Sequence, residues 1–273
     1  ARRRTGGYSV RVIFAALLMV GAMLSVATAQ AQSAAQFTAQ ALEIEASQSL
    51  EWLSNENAYV ARGNAKMRQG ELEVSANTLT ANYRELADGK TEVWRVVADG
   101  DVVIETPTQR ALGDRGIYDI ATDVFTLTGS DLRLETETET ITARDSIEYW
   151  KTDQIAVARG NARALRGTDQ IDADELKAEL EEDAGGELII RNLAAVGNVV
   201  ITTPTDVARG DRGIFDSASN TATLSGSVRL TRGQNQLNGD FAEVNLTTGV
   251  SRLLAQPGES GRVQGLFVPE PAQ

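Results

Sequence analysis

The sequence predicts an all-β fold, an elongated stack of short antiparallel strands that is internally duplicated. Three observations carry this expectation. Glycines at 63, 100, 129, 160, 197 and 226 are each followed, thirteen or fourteen positions on, by a small residue: Ala76, Gly113, Ala143, Ala173, Gly210 and Gly239. Shifting the chain by 97 residues superposes residues 51–129 on 148–226 without a gap, with 33 of the 79 pairs identical. Between the glycines lie short runs in which apolar residues alternate with polar ones, rich in β-branched side chains and free of any long helical stripe. A chain that repeats itself in this way stacks similar units, none of which buries its apolar face alone.

The N-terminus is read first because it stands apart from the repeats. Arg2, Arg3, Arg4 and Arg11 precede an apolar run over 12–26, and Ala27-Thr28-Ala29 follows as a small-x-small site, with Ala29-Gln30-Ala31 as a second choice. This pattern predicts a signal peptide over 1–29, cleaved after Ala29 or Ala31, and hence export. Fifteen apolar residues fall short of the roughly 20 that a spanning helix needs. Residues 30–40, rich in Ala, Gln and Ser, read as a flexible lead-in, and 269–273 as a frayed tail.

Composition narrows the function classes. The chain has no cysteine, so an exported form holds together by strand pairing and not by disulfides. It has no histidine, which removes the commonest general base and metal ligand. Setting aside the four leader arginines takes the basic count from 26 to 22 against 38 acidic residues, a net charge of −16. Such a surface is a poor partner for nucleic acid.

The unit beginning at Gly197 shows how each repeat is built. Val199 and Ile201 share one side of a strand, while Asn198, Val200 and Thr202 face the other way. Thr203-Pro204-Thr205 breaks the ladder, since proline lacks the donor a central strand needs. Ala208 and Gly210 resume the first face, and Gly213 and Phe215 continue it after a shift of phase that predicts a bulge or corner at Asp211-Arg212. Leu224 closes the unit. The same register runs through Met67, Val74, Ala76, Leu79, Ala81 and Tyr83, then Val102, Ile104, Ala111, Gly113, Gly116 and Tyr118. It returns in Leu132, Leu134 and Ile141, in Ile171, Ala173, Leu176, Ala178 and Leu180, and in Val228, Leu230 and Leu237. Residues 173–183 could pass for a helix by composition, but their place in the repeat is a strand. The small residue at each second marker predicts a tight interior crease. An interior of Val, Ile, Leu and Ala with few large aromatics leaves room for an apolar guest.

Several motifs invite a chemical reading. Gly113-Asp114-Arg115-Gly116 and Gly210-Asp211-Arg212-Gly213 could suggest calcium or phosphate, yet they align with Ala76-Asn77 and Ala173-Asp174 and read better as structural corners. Ala61-Arg62-Gly63-Asn64-Ala65 and its copy at 158–162 read as turns joining strands, because Gly-Asn tolerates positive φ. Glu135 to Thr140 alternates Glu and Thr and reads as a solvated hairpin rim. No carboxylate pair stands near a candidate nucleophile, and neither a nucleophile elbow nor a phosphate loop occurs. No enzyme, cofactor or metal site is expected.

Taken together, the Gly-Asn/Asp-Val-x-Ile strands, clearest at 195–201 and 98–104, the Ala/Gly-Asp/Asn corners, the exported N-terminus and a closing strand at 261–266 resemble the OstA-like family, in its LptA-type branch. The resemblance covers about residues 41–268. It implies a folded-over sheet of the β-taco or β-jellyroll type, open along one seam, that carries lipopolysaccharide acyl chains across the periplasm. It also implies end-strand pairing with inner-membrane LptC-like and outer-membrane LptD-like partners, and a possible head-to-tail homo-oligomer. The end strands would be Leu42 to Ala46 and Arg262 to Val268. On this reading the lipid-contacting residues are Met67, Val74, Leu79, Val102, Ile104, Tyr118, Leu134, Ile171, Leu176, Val199, Ile201, Phe215, Val228 and Leu230. The other reading left open is an exported structural or adhesive β-solenoid without lipid cargo.

Overall fold

The computed structural model describes residues 43–87, 89–182, 188–245, 247–248, 250–255 and 262–268. The expected signal peptide, the lead-in, Leu42 and the 269–273 tail lie outside the described residues. All regular structure among the described residues is strand: β1 (Glu43–Glu45), β2 (Ser49–Leu53), β3 (Ala58–Gln69), β4 (Leu72–Glu85), β5 (Thr91–Glu105), β6 (Gln109–Asp119), β7 (Val124–Thr128), β8 (Leu132–Thr136) and β9 (Glu139–Ala143). The second half holds β10 (Ser146–Trp150), β11 (Ile155–Arg166), β12 (Asp169–Glu182), β13 (Leu188–Thr202), β14 (Asp206–Asp216), β15 (Thr221–Arg232), β16 (Asn235–Asn245), β17 (Val250–Leu254) and β18 (Gln264–Leu266). No helix among the described residues is long and apolar enough to cross a membrane.

One antiparallel sheet contains all eighteen strands. Its long strands pair in sequence order, and where a layer is split, two short strands take its halves. β1 and β2 pair with opposite ends of β3, β7 and β8 with opposite ends of β6, and β9 and β10 with opposite ends of β11. At the far end β17 and β18 divide β16 between them. The 173–183 ambiguity resolves as expected, because β12 runs through it as a strand.

The runs read as separate short strands are the two arms of longer, bent strands. In β3, β5, β11, β13 and β15 the register slips at the bend, between Arg62 and Ala65, Asp99 and Val102, Arg159 and Ala162, Val196 and Val199, and Ser225 and Val228; β5 and β13 also slip a second time, at Trp94 and Arg191. Each slip contains one ladder glycine and the residue after it, both at positive φ: Gly197 at 78° and Asn198 at 49°, for example. Two successive left-handed residues turn the strand without ending it, and glycine followed by Asn or Asp, the pair at four of the five slips, tolerates them best; Gly226-Ser227 makes the fifth. The Gly-Asn pairs at 63–64 and 160–161 therefore bend strands from within. The expectation that they join strands is corrected, because the ladder hydrogen bonds resume on both sides of the bulge. At Gly129 the strand separates into β7 and β8 instead.

The Asp and Asn corners serve these bulges. Asp114 Oδ2 accepts hydrogen bonds from the Ser130 backbone N–H (2.7 Å) and Oγ (3.0 Å), and Asp174 Oδ2 accepts from Asn198 Nδ2 (2.9 Å). The structural reading of Gly113-Asp114 follows from that contact. Reversals at the short-arm ends are tight: Gly70, Gly167 and Gly233, at φ 55–59°, open two-residue loops. Thr203-Pro204-Thr205 joins β13 to β14 as predicted.

Candidate functional site

Because every layer bends at the same place, the sheet folds over and its two arms face each other. Two-residue alternation then decides what lies between them. The short arm contributes Met67, Val74, Ile104, Ala111, Leu134, Ile141, Ala164, Ile171, Ile201, Ala208, Leu230 and Leu237. Across from it, the long arm contributes Ala81, Val96, Tyr118, Phe125, Tyr149, Ala156, Ala178, Leu193, Phe215, Ala222 and Val244. Small residues occupy the crease. A Cβ on Gly113 would lie 2.8 Å from Leu127 Cγ, and one on Gly210 at the same distance from Leu224 Cγ, while Ala76 and Ala173 are buried.

All fourteen residues nominated from sequence face this interior, and each is buried or half-buried. They do not form one uniform channel. Leu79 and Val102 pack in the first-repeat core, and Ile171, Leu176, Val199, Ile201, Phe215 and Val228 in the second. Met67, Val74, Ile104, Tyr118 and Leu134 line a cavity of about 160 Å³ at the waist, Met67 and Val74 while also belonging to the first-repeat core, and Leu230 lines one of about 280 Å³ near the C-terminal end. Each cavity takes its walls from both arms.

Several lining residues escaped the nomination. Ile147 and Tyr149 of the waist cavity stand 97 positions after Leu50 and Trp52, so extending the repeat by one residue at its N-terminal side would have found Ile147. Leu237 was in the register but not nominated. Phe267, which lines the C-terminal cavity, follows β18 and carries no repeat signal.

The apolar faces end in a polar lip at the short-arm turns. Four of the five buried polar residues among the described residues, Gln109, Glu139, Thr203 and Asp206, stand there, in step with the inward-facing positions of their strands. Asp206 accepts from Arg232 Nε and Nη2 at 2.5 and 3.0 Å, and Glu139 accepts from Arg166. Burial pushes the Glu139 carboxyl above its ordinary value, and the Arg166 charge and hydrogen bond only partly oppose the rise. The expectation that the whole Glu135–Thr140 rim is solvated is thereby corrected, because the fold-over turns Glu139 inward. Within the waist, Tyr118 stacks on Phe125 with ring centroids 3.9 Å apart and donates to Asp123 Oδ1 at 2.7 Å. Burial, then the hydrogen bond and charge of Asp123, raise its phenol above the usual value.

No group of three or more His, Cys, Asp or Glu side chains among the described residues could hold a metal ion. The arrangement offers a long apolar interior with a hydrogen-bonding margin. At its N-terminal end Leu50 and Trp52 continue the inward-facing row yet are 64% and 68% exposed, because no further layer covers them among the described residues.

Comparison with known proteins points the same way. No match emerges among curated protein sequences. Among solved structures, the chain is similar to LptH, the LptA-homologous periplasmic component of the lipopolysaccharide transport device of Pseudomonas aeruginosa. The identity is 11%, over 84% of this chain and 96% of LptH, with a TM-score of 0.21, which is too low to argue from. The family described as LptA/(LptD N-terminal domain) LPS transport protein matches twice, over residues 43–154 and 140–250. Those two matches together span most of the 273 residues, and the chain belongs to the LptA/LptD N-terminal domain family of lipopolysaccharide-transport proteins.

Proposed function

We propose that this protein is a periplasmic carrier that shields the acyl chains of lipopolysaccharide on their way from the inner to the outer membrane. The supporting observation is the interior between the arms, whose two cavities have almost wholly apolar walls and are left unfilled by the protein's own side chains. A solenoid serving only to make length would be expected to pack that space, since interiors are normally close-packed. The energetic need is plain: each methylene kept from water is worth about 0.8 kcal/mol, so a chain of a dozen carbons exposed in transit costs on the order of 10 kcal/mol. The acidic exterior suits a soluble bridge between anionic membranes. LptC-like and LptD-like partners, and further copies of this chain, would join through the end layers β1/β2 and β17/β18, which among the described residues pair on one side only, with β3 and β16, and so offer backbone groups for strand addition.

Photo-crosslinking amino acids test this reading. Placed at Ile104, Tyr118 and Leu230, on the inner walls, they label added lipopolysaccharide, whereas the same groups at Asp101 and Asn198, on the outer bend, do not. Equal labelling at both sets removes the carrier reading.

A further inference from the structure

The two cavities stand at equivalent places in the two repeats. Gln109, Ala111, Phe125 and Leu127 line the waist cavity, and the residues 97 positions on, Asp206, Ala208, Ala222 and Leu224, line the C-terminal one. The cavities have no lining residue in common. Between them the inward side chains of β12 and β13 fill the interior. Ile171 pairs with Ile201 on the short arm, and on the long arm Ala178 pairs with Leu193, which pairs in turn with Phe215. All five belong to one packed cluster, none is more than 7% exposed, and none lines either cavity. Leu180 and Leu188 mark the boundary of this packed segment on the waist side, and Ala222, the cross-strand partner of Phe215, marks it on the other. From β12 to β14 is two strand spacings, about 10 Å.

Residue exchanges between the repeats account for the division. The first-repeat equivalents of Ile171, Leu193, Ile201 and Phe215 are Val74, Val96, Ile104 and Tyr118, and all four of those border the waist cavity. Val74 to Ile171 and Val96 to Leu193 each add a carbon to the second repeat, while Phe125 to Ala222 removes a ring on its C-terminal side. Open space is thereby lost between the cavities and gained beyond Phe215. A close-packed segment resists entry, because a chain can pass only by displacing side chains that fill their space. We propose that this protein holds two acyl chains at separate sites, one in each cavity, with the packed interior of β12 and β13, bounded by Phe215, as the partition between them. The inference rests on the carrier reading and adds to it the number of sites and the residues that separate them.

The test counts the neutral fluorophore N-phenyl-1-naphthylamine bound to the purified protein by equilibrium dialysis. Two equivalents per chain are expected. Each site is then filled with the larger residue that the other repeat carries: Ala156→Tyr places the residue found at 59 in the waist cavity, and Ala222→Phe places the one found at 125 in the C-terminal cavity. Each variant, folded by circular dichroism, is expected to lose one equivalent and to keep the affinity of the other site within about twofold, as for separated positions. One equivalent in the unaltered protein, or any count other than one in the folded variants, overturns the two sites and leaves the carrier reading standing. A second measurement addresses the partition through displacement of the fluorophore by n-alkyl maltosides of increasing chain length, below their micellar concentrations. Affinity is expected to rise about fourfold per methylene and then to level off once one cavity is full. In Phe215→Ala, and in Leu193→Ala as the smaller excision, the rise is expected to continue to longer chains. No levelling in the unaltered protein, or the same limit in both excised variants, overturns the partition. Failure of the fluorophore and every maltoside to bind the unaltered protein overturns the carrier reading as well.

Discussion

Gly197 sits directly beneath the carboxylate of Asp174, so that a Cβ at position 197 would fall inside the side chain that holds Asn198 in place. The backbone at Gly197 is at φ 78°, in the left-handed region, where a side chain is strained even in open space. The two residues together make one of the bends that fold the sheet. Gly197→Ala is therefore expected to destabilise the protein by at least about 1–3 kcal/mol, read as a fall in the urea midpoint. An unchanged midpoint would show that the bend does not depend on this glycine.

The crease allows a second test, of inside against outside. Ala173 pairs with Ala162 across β12 and β11, and both are almost completely buried in the second-repeat core. Ala173→Leu forces three extra carbons into filled space and is expected to cost about 1–3 kcal/mol. Thr168, exposed in the two-residue loop between those strands, provides the control, and Thr168→Leu is expected to be close to neutral. Equal thermal stability of the two variants would reverse the facing of β12.

Glu139 gives a pH prediction. Its carboxyl titrates above the ordinary value of 4.5 in the folded protein, chiefly through burial, so the folded state holds that proton more tightly than the unfolded chain does. The stability this contributes is full below about 4.5 and is lost as pH rises through the folded value. Other carboxylates, such as Asp119 and Glu73, are shifted down and produce the opposite slope, so the informative quantity is the difference between the protein and Glu139→Gln. That difference is expected to move in favour of Glu139→Gln as pH is raised from 4.5 towards 7, followed by chemical denaturation at each pH. A difference independent of pH would mean that Arg166 fully compensates the burial.

The open N-terminal layer yields a prediction about assembly. Leu50 extends the inward-facing apolar row but is largely exposed, as are Leu266 and Phe267 at the opposite end. If copies join end to end, these residues become interior. Leu50→Asp, on an exposed position of a short strand, is expected to leave the fold intact by circular dichroism and to abolish concentration-dependent growth in light scattering. Assembly that persists in the folded variant would place the contact elsewhere.

How much of this was legible in the sequence follows from which interactions are local. The extended segments and their inward faces could be read, because alternation is a property of an extended chain, and so could the places that need positive φ, because Gly with Asn or Asp marks most of them. Gly63-Asn64 needs positive φ on sequence alone, which suits a turn between strands as well as a bend within one. A bulge and a turn make the same local demand, and only the pairing of β3 with β2 and β4 on both sides of the bend distinguishes them.

What the sequence by itself determined is therefore the all-β repeat, the bent strands' apolar side and the fourteen inward-facing residues, all set within a few residues of chain by backbone sterics and two-residue periodicity. The tertiary structure alone decided that Glu139 is buried, that Ile171, Ile201 and Phe215 fill the second repeat while Met67, Ile104 and Tyr118 border a cavity, and that Arg232 reaches Asp206. Those outcomes depend on how the two arms meet across the fold, where side-chain volumes from strands distant in sequence must share one space, and no local pattern records that sum.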